Sequence, residues 1–285
     1  MDVHEIHYSQ KTKNLSGKRL LVCGKGGCGK STVVTILART LNKRGYGVLV
    51  LDGDASNPGG LARLLFGLQK GPKPLIDFFG GREKVECPVD NPDVLTRIND
   101  PIPITEHFLD LTEIPPEYYH QLEGIILFQV GKIQRSCEGC DGPMSKVSRD
   151  FIVSGDRVML IDVEAGIEHY GRGIEKNVDC VIVVADPTYE SFLIAERVLK
   201  LSSELGIKNT GVVLNKVESK EMQLAMRYEL EKRKATILGI IKRNSEFFEA
   251  GLKGISLKKD SAIKDGEKII DSLEEAIQED HIIIA

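Results

Sequence analysis

Two lysines, a serine and four glycines fall within eight consecutive residues, Gly24-Lys25-Gly26-Gly27-Cys28-Gly29-Lys30-Ser31. The run fits the phosphate-loop template G-x-x-x-x-G-K-[ST] at every fixed position. Its glycines let the backbone turn tightly enough for successive N–H groups, from Gly26, Gly27, Cys28 and Gly29 through Lys30, Ser31 and Thr32, to face phosphate oxygens. A helix starting there adds partial positive charge. Lys30 is expected to reach the β- and γ-phosphates and the Ser31 hydroxyl to hold Mg²⁺, so the run predicts a nucleoside triphosphate site.

Acidic residues at two strand ends extend that chemistry. Val48-Leu49-Val50-Leu51 runs into Asp52-Gly53-Asp54, and Val158-Met159-Leu160-Ile161 runs into Asp162-Val163-Glu164-Ala165-Gly166. Ligands in open α/β sheets bind beyond the carboxyl ends of strands. Asp162 is therefore expected to hold Mg²⁺ as a Walker B aspartate, and Asp52 either to share the ion or to hydrogen-bond the loop. Gly166 frees the following segment to move when a γ-phosphate is lost.

The third group is Cys137-Glu138-Gly139-Cys140. C-x-x-C lets two thiolates chelate one ion from a tight turn, and a symmetric dimer would supply the other two ligands of a tetrahedral site. A redox dithiol and two structural thiols are the alternatives. Cys23, Cys28, Cys87 and Cys180 are isolated in the sequence, and six cysteines in a chain of this kind do not read as a disulfide framework.

Strand patterns alternate with helical ones from residue 19 to about 241, which predicts an α/β fold with a mostly parallel sheet covered by helices on both faces. Further apolar runs lie at 180–185, 211–214 and 238–241, and helical patterns at 31–41, 189–205, 219–234 and 265–279. Residues 1–17 read as a polar extension before a single domain, 18–285, with an irregular insertion around 71–125 that is rich in Pro, Asp and Glu from Gly71 to Pro116. His281–Ala285 suits a strand or packed tail. The net charge of −4 argues against a nucleic-acid surface. No membrane span or signal-peptide core is present, so a cytoplasmic location is expected, away from membranes.

The pattern Lys-Gly-Gly-x-Gly-Lys-Ser at 25–31 resembles the deviant Walker A box of the ATPases that include MinD, ParA and the nitrogenase iron protein. The resemblance implies a Mg²⁺-dependent ATPase working as a homodimer, with Lys25 reaching the partner's nucleotide and Lys30 serving its own. It implies that Asp54 orients the attacking water and stands with Ser31 and Asp162 at the Mg²⁺, and that Asn215, followed by Lys216, meets the adenine. Lys242-Arg243-Asn244 would border the base. Within that family, Ile161-Asp162-Val163-Glu164-Ala165-Gly166-Ile167-Glu168-His169 closely resembles the CooC-type ATPases that mature the nickel–iron–sulfur site of carbon monoxide dehydrogenase. That likeness implies Ni²⁺ or Zn²⁺ at Cys137 and Cys140 between subunits, and a carbon monoxide dehydrogenase-type client. The CooC pair is usually Cys-x-Cys, whereas the spacing here is similar to that of cluster carriers, which leaves an iron–sulfur cluster open. An iron–sulfur electron donor and a MinD/ParA-like positioning ATPase are the other readings. His169, just past the switch, would either touch a passing metal or bond a neighbouring backbone.

Overall fold

The computed structural model describes residues 14–57, 59–97, 100–106, 108–133, 135–136, 140–258 and 260–282. In chain order the strands are β1 (Arg19–Gly24), β2 (Val48–Asp52), β3 (Thr96–Arg97), β4 (Asp100–Pro103), β5 (Tyr119–Leu122), β6 (Ile125–Gln129), β7 (Val158–Asp162), β8 (Cys180–Ala185), β9 (Asn209–Val217) and β10 (Ile237–Lys242). The α-helices are α1 (Lys30–Lys43), α2 (Gly60–Phe66), α3 (Leu75–Phe78), α4 (Gly142–Asp150), α5 (Glu168–Arg172), α6 (Tyr189–Glu204), α7 (Lys220–Glu231), α8 (Ser245–Lys253) and α9 (Ile263–Ile282).

Eight strands form one sheet in the order β10-β9-β8-β1-β7-β2-β6-β5, parallel throughout except for β5, which pairs antiparallel with β6. The central strands are continuous apolar runs because both of their faces are covered. Alternate residues go to opposite sides. On β1, Leu21 and Cys23 join the core under α4, α6 and α7, while Leu20 and Val22 join the core under α1, α2 and α9. Val181 and Val183 of β8 repeat the first pattern, Cys180 and Ile182 the second. The predicted fold class is therefore observed.

Three segments differ from their sequence reading. Residues 71–125 are woven into the domain: Leu75, Phe79, Val85, Leu95, Ile104 and Leu109 are buried in the main core, and β5 forms the sheet's edge. Leu15, in the arm read as a polar extension, is fully buried in the other core. His281 and Ile282 end α9 instead of forming a strand, because the 3.6-residue apolar repeat of Ile269, Ile270, Leu273 and Ile277 carries the helix that far. Residues 283–285 lie outside the described residues. No helix among the described residues is long and apolar enough to cross a membrane.

Candidate functional site

The strand order brings the chemistry together. β7 lies between β1 and β2, so the tip that carries Asp162 stands between the phosphate loop and the Asp52–Asp54 tip. Asp162 is in register with Val22 on one side and Asp52 on the other. Gly53 N–H donates to the Asp162 carbonyl at 2.9 Å, locking the two acidic tips together.

Helix α1 begins directly on the loop. Its N-cap, Gly29, is left-handed (φ 99°, ψ 28°), and a Cβ there would stand 2.3 Å from the Asn215 amide nitrogen. Only glycine fits. No side chain caps α1 and no acidic residue sits in its first turn, which leaves the N–H groups of that turn available to an anion. Lys30 is buried at the same end.

Ser31 Oγ donates to Asp162 Oδ2 at 2.7 Å. Asp162 Oδ1 is buried and has no hydrogen-bond partner among the described residues. Burial, and next the Asp52 carboxylate, push the Asp162 carboxyl up to about 7, against the opposing hydrogen bond from Ser31 and the charge of Lys30. An orphaned carboxylate oxygen beside a hydroxyl, short of positive charge, fits Mg²⁺. Asp54 is half-buried, and its Oδ1 accepts from Ser56 N–H (2.9 Å) and Ser56 Oγ (2.6 Å).

Asp52 bonds a lysine and the start of α2 in place of the phosphate loop expected for it. Its Oδ1 accepts from Lys132 Nζ at 2.8 Å and its Oδ2 from Leu61 N–H at 3.1 Å, and Lys132 also donates to the Asp54 carbonyl. Lys132, which sequence reasoning missed, thus ties both aspartates of the β2 tip. Burial still raises the Asp52 carboxyl, with Lys132 the largest opposing influence.

Lys25 folds back onto its own chain. Its Nζ donates to Thr188 Oγ1 at 3.0 Å and stands 3.8 Å from Asp186 Oδ1. Lys216 Nζ lies 3.6 Å from the other Asp186 oxygen and donates to the Gly27 carbonyl at 2.6 Å. Burial works against the Asp186 charge, but hydrogen bonds from Ser191 and Thr188 and the two lysines hold its carboxyl below its ordinary value.

Asn215 donates from Nδ2 to the Cys28 carbonyl at 2.8 Å, so β9 is pinned to the loop. Cys28 itself is fully buried. Beside Asn215 opens a cavity of about 480 Å³ lined by Thr32, Lys216, Arg243, Phe247 and Phe248, among others. Phe248 is 70% exposed, an aromatic side chain largely open to solvent. The two phenylalanines were missed: they sit on α8, a helix the sequence reading did not single out, and belong to no motif.

Behind the site, the segment after Asp162 reaches the cysteine motif. Gly166 N–H donates to the Gly24 carbonyl at 3.2 Å. Glu164 hydrogen-bonds Asp141, and Arg172 of α5 forms an ion pair with Asp141 Oδ2. Burial first, then the Asp141 carboxylate, raise the Glu164 carboxyl to about 7. Asp141 follows Cys140, which is exposed and whose carbonyl accepts from Arg82 at 2.8 Å. Cys137 lies outside the described residues. His169 pairs through Nδ1 with the buried Glu175 carboxylate, which is neither the passing metal nor the neighbouring backbone expected for it. Cys87, isolated in the sequence, comes up against the Cys140 turn.

Residues 20–257 match the family described as the CobQ/CobB/MinD/ParA nucleotide binding domain. An uncharacterized ATP-binding protein of Methanocaldococcus jannaschii is 35% identical over 261 residues, covering 88% of this chain and 99% of its own. The carbon monoxide dehydrogenase accessory protein CooC of Rhodospirillum rubrum is 31% identical over 210 residues, 70% of this chain and 75% of its own. Among solved structures, the cell division ATPase MinD of Pyrococcus furiosus superposes with a TM-score of 0.59 at 20% identity, over 92% of this chain and 99% of that one. An uncapped helix on a glycine loop, a hydroxyl–carboxylate pair short of a cation and a base-sized cleft are what such a family needs, and the chain belongs to it, as an ATP-binding ATPase of the MinD/ParA type.

Proposed function

We propose that the chain acts as a homodimeric ATPase that captures a thiophilic metal ion, nickel first among the choices, and delivers it to a metalloenzyme of the carbon monoxide dehydrogenase or acetyl-CoA synthase type. The observation that carries this reading is the Asp141 carboxylate. It adjoins Cys140 and is gripped by Glu164 and Arg172, which flank the segment that follows Asp162. A change at the γ-phosphate has a short, charged route to the cysteine turn. The likeness to the Rhodospirillum rubrum accessory protein agrees with such a client.

In the nucleotide site, the first-turn N–H groups of α1 and Lys30 bind the phosphates. Ser31 and Asp162 would hold Mg²⁺, which would supply charge neutralisation for phosphoryl transfer. Asp54 accepts a hydrogen bond from the attacking water and sets it in line with the γ-phosphorus. The new bond joins the water oxygen to the γ-phosphorus, the bond from that phosphorus to the β,γ-bridging oxygen breaks, the water's proton passes to the released phosphate, and ADP and phosphate leave. Lys25 of each subunit completes the site of the other. Its hold on Asp186 and Thr188 describes the subunit before the dimer closes.

The base site gives one expected result. Stacking of adenine on Phe248 makes Phe248→Ala weaken ATP binding by about 1–3 kcal/mol, with little change in kcat. Fluorescence titration with a labelled ATP reads the affinity. An unchanged value would remove Phe248 from the base site.

The cargo gives a second. Protein purified without oxygen, as wild type and as the Cys137→Ser/Cys140→Ser double variant, should carry nickel or zinc that depends on the cysteines, with no acid-labile sulfide. Iron with equivalent sulfide would move the assignment to an iron–sulfur cluster carrier. Equal metal in both proteins would end the shared-cysteine reading.

A further inference from the structure

The turn at Cys140 does not stand alone. A Cβ placed on Gly142, the first residue of α4, would lie 2.5 Å from the sulfur of Cys87 and 3.3 Å from the sulfur of Cys140. The two thiols therefore share the methyl-sized space that Gly142 leaves open, although 53 residues separate them in the chain. Both are free thiols. Cys87 is half-buried and Cys140 exposed, so an ion arriving from solvent meets Cys140 first.

The approach is held from both sides. The Cys87 carbonyl accepts from Asp90 N–H (3.1 Å) and Asn91 N–H (2.8 Å), which closes a tight turn, and Lys146 of α4 reaches across to the Asn91 carbonyl at 3.2 Å. Arg82, from the same insertion, donates to the Cys140 carbonyl. Two crosslinks between side chain and backbone thus clamp residues 82–91 against the start of α4. A thiolate–metal bond is about 2.3 Å, and both sulfurs stand within 3.3 Å of one point, the place a Gly142 Cβ would take.

We propose that Cys87 is a metal-ligating thiol, paired with Cys140 within one subunit. The inference rests on the metal-capture reading above and deepens it. A single subunit then presents an intrachain thiol pair before any dimer closes, and the insertion at 71–125 acquires a purpose: it carries a ligand. Because Asp141 sits between Cys140 and Gly142, the Glu164–Arg172 grip acts on this pair directly. Dimer closure adds ligands to an ion already held, and reopening returns it to fewer thiolates, from which a client can take it.

The test uses Co²⁺ as a spectroscopic probe in oxygen-free titrations of wild type, Cys87→Ser and Cys140→Ser, with thermal melting to confirm that each is folded. Wild type should show thiolate-to-cobalt charge-transfer absorption. Cys87→Ser should lower that absorption per cobalt and weaken binding beyond the roughly 10–100-fold that losing a supporting contact produces. Alkylation of wild type by N-ethylmaleimide, followed peptide by peptide, serves where Cys87→Ser does not fold: Zn²⁺ should slow labelling of Cys87 and Cys140 together. Unchanged Co²⁺ binding in folded Cys87→Ser, or Cys87 labelling indifferent to Zn²⁺, overturns the inference while a loss in Cys140→Ser keeps the metal-capture reading. A wild type without thiolate absorption overturns both.

Discussion

Replacing Lys25 with alanine should leave ATP bound and reduce hydrolysis by about 10³-fold or more, the effect of removing a cation that meets charge developing on the transferred phosphoryl group. The loss cannot come from stability. Lys25 stands 3.8 Å from Asp186 with its side chain 28% exposed, and partly exposed pairs of that kind contribute at most about 1 kcal/mol. A 10³-fold rate loss corresponds to about 4 kcal/mol in the barrier. Mixing tells whose lysine acts. In a heterodimer of Lys25→Ala and Asp54→Ala, a lysine acting across the interface completes the site on the Lys25→Ala subunit, which keeps its own Asp54. Random exchange of two inactive homodimers should then restore about a quarter of wild-type activity, one working site in half of the dimers. If Lys25 serves its own subunit, the mixture stays inactive and the closed-dimer mechanism fails with it.

What could be read from the sequence is what lies close together in it. The phosphate loop is eight consecutive residues, and β1, β2, β7 and β8 declare themselves because strands covered on both faces must be apolar without interruption. Even within reach of that rule, β6 went unread: Ile125–Gln129 is as apolar as β2, yet it ends a stretch whose prolines and acids suggested an irregular insertion. Juxtapositions set by the return path of the chain had no signal. Lys132 meets Asp52 across 80 residues, Arg172 meets Asp141 across 31, and Cys87 meets Cys140 only because the insertion folds back over α4. Cys140 was legible through its C-x-x-C spacing, while Cys87, with no cysteine near it in sequence, was not. Leu15 hid in a polar arm for the same reason, since one apolar residue has no period. The site's chemistry was therefore legible and its wiring was not.

That wiring carries the largest expected effect on stability. Asp52 is 1% exposed and Lys132 6%, and at 2.8 Å they form a buried ion pair. Lys132→Met removes one partner and leaves a carboxylate that burial already disfavours, with Leu61 N–H its remaining hydrogen-bond partner among the described residues. Breaking a buried pair from one side costs about 3–5 kcal/mol. At about 2–4 °C per kcal/mol for a domain approaching this size, the melting temperature should fall by roughly 6–20 °C. Adding Asp52→Asn neutralises the stranded charge and keeps an acceptor for Leu61, so the double variant should regain more than half of the loss, a coupling that a double-mutant cycle measures. Hydrolysis should not return with it. Lys132 also holds the Asp54 carbonyl, and neither methionine nor asparagine replaces that bond, so both variants should hydrolyse ATP slowly at temperatures where they are folded. A single variant that loses less than about 1 kcal/mol, the range of exposed pairs, would show that Lys132 is not the counter-charge of Asp52. Recovery of both stability and rate in the double variant would show that Lys132 serves the fold alone. Stability that returns without the rate would make Lys132 the residue that couples the buried end of β2 to Asp54, the aspartate proposed to orient the attacking water.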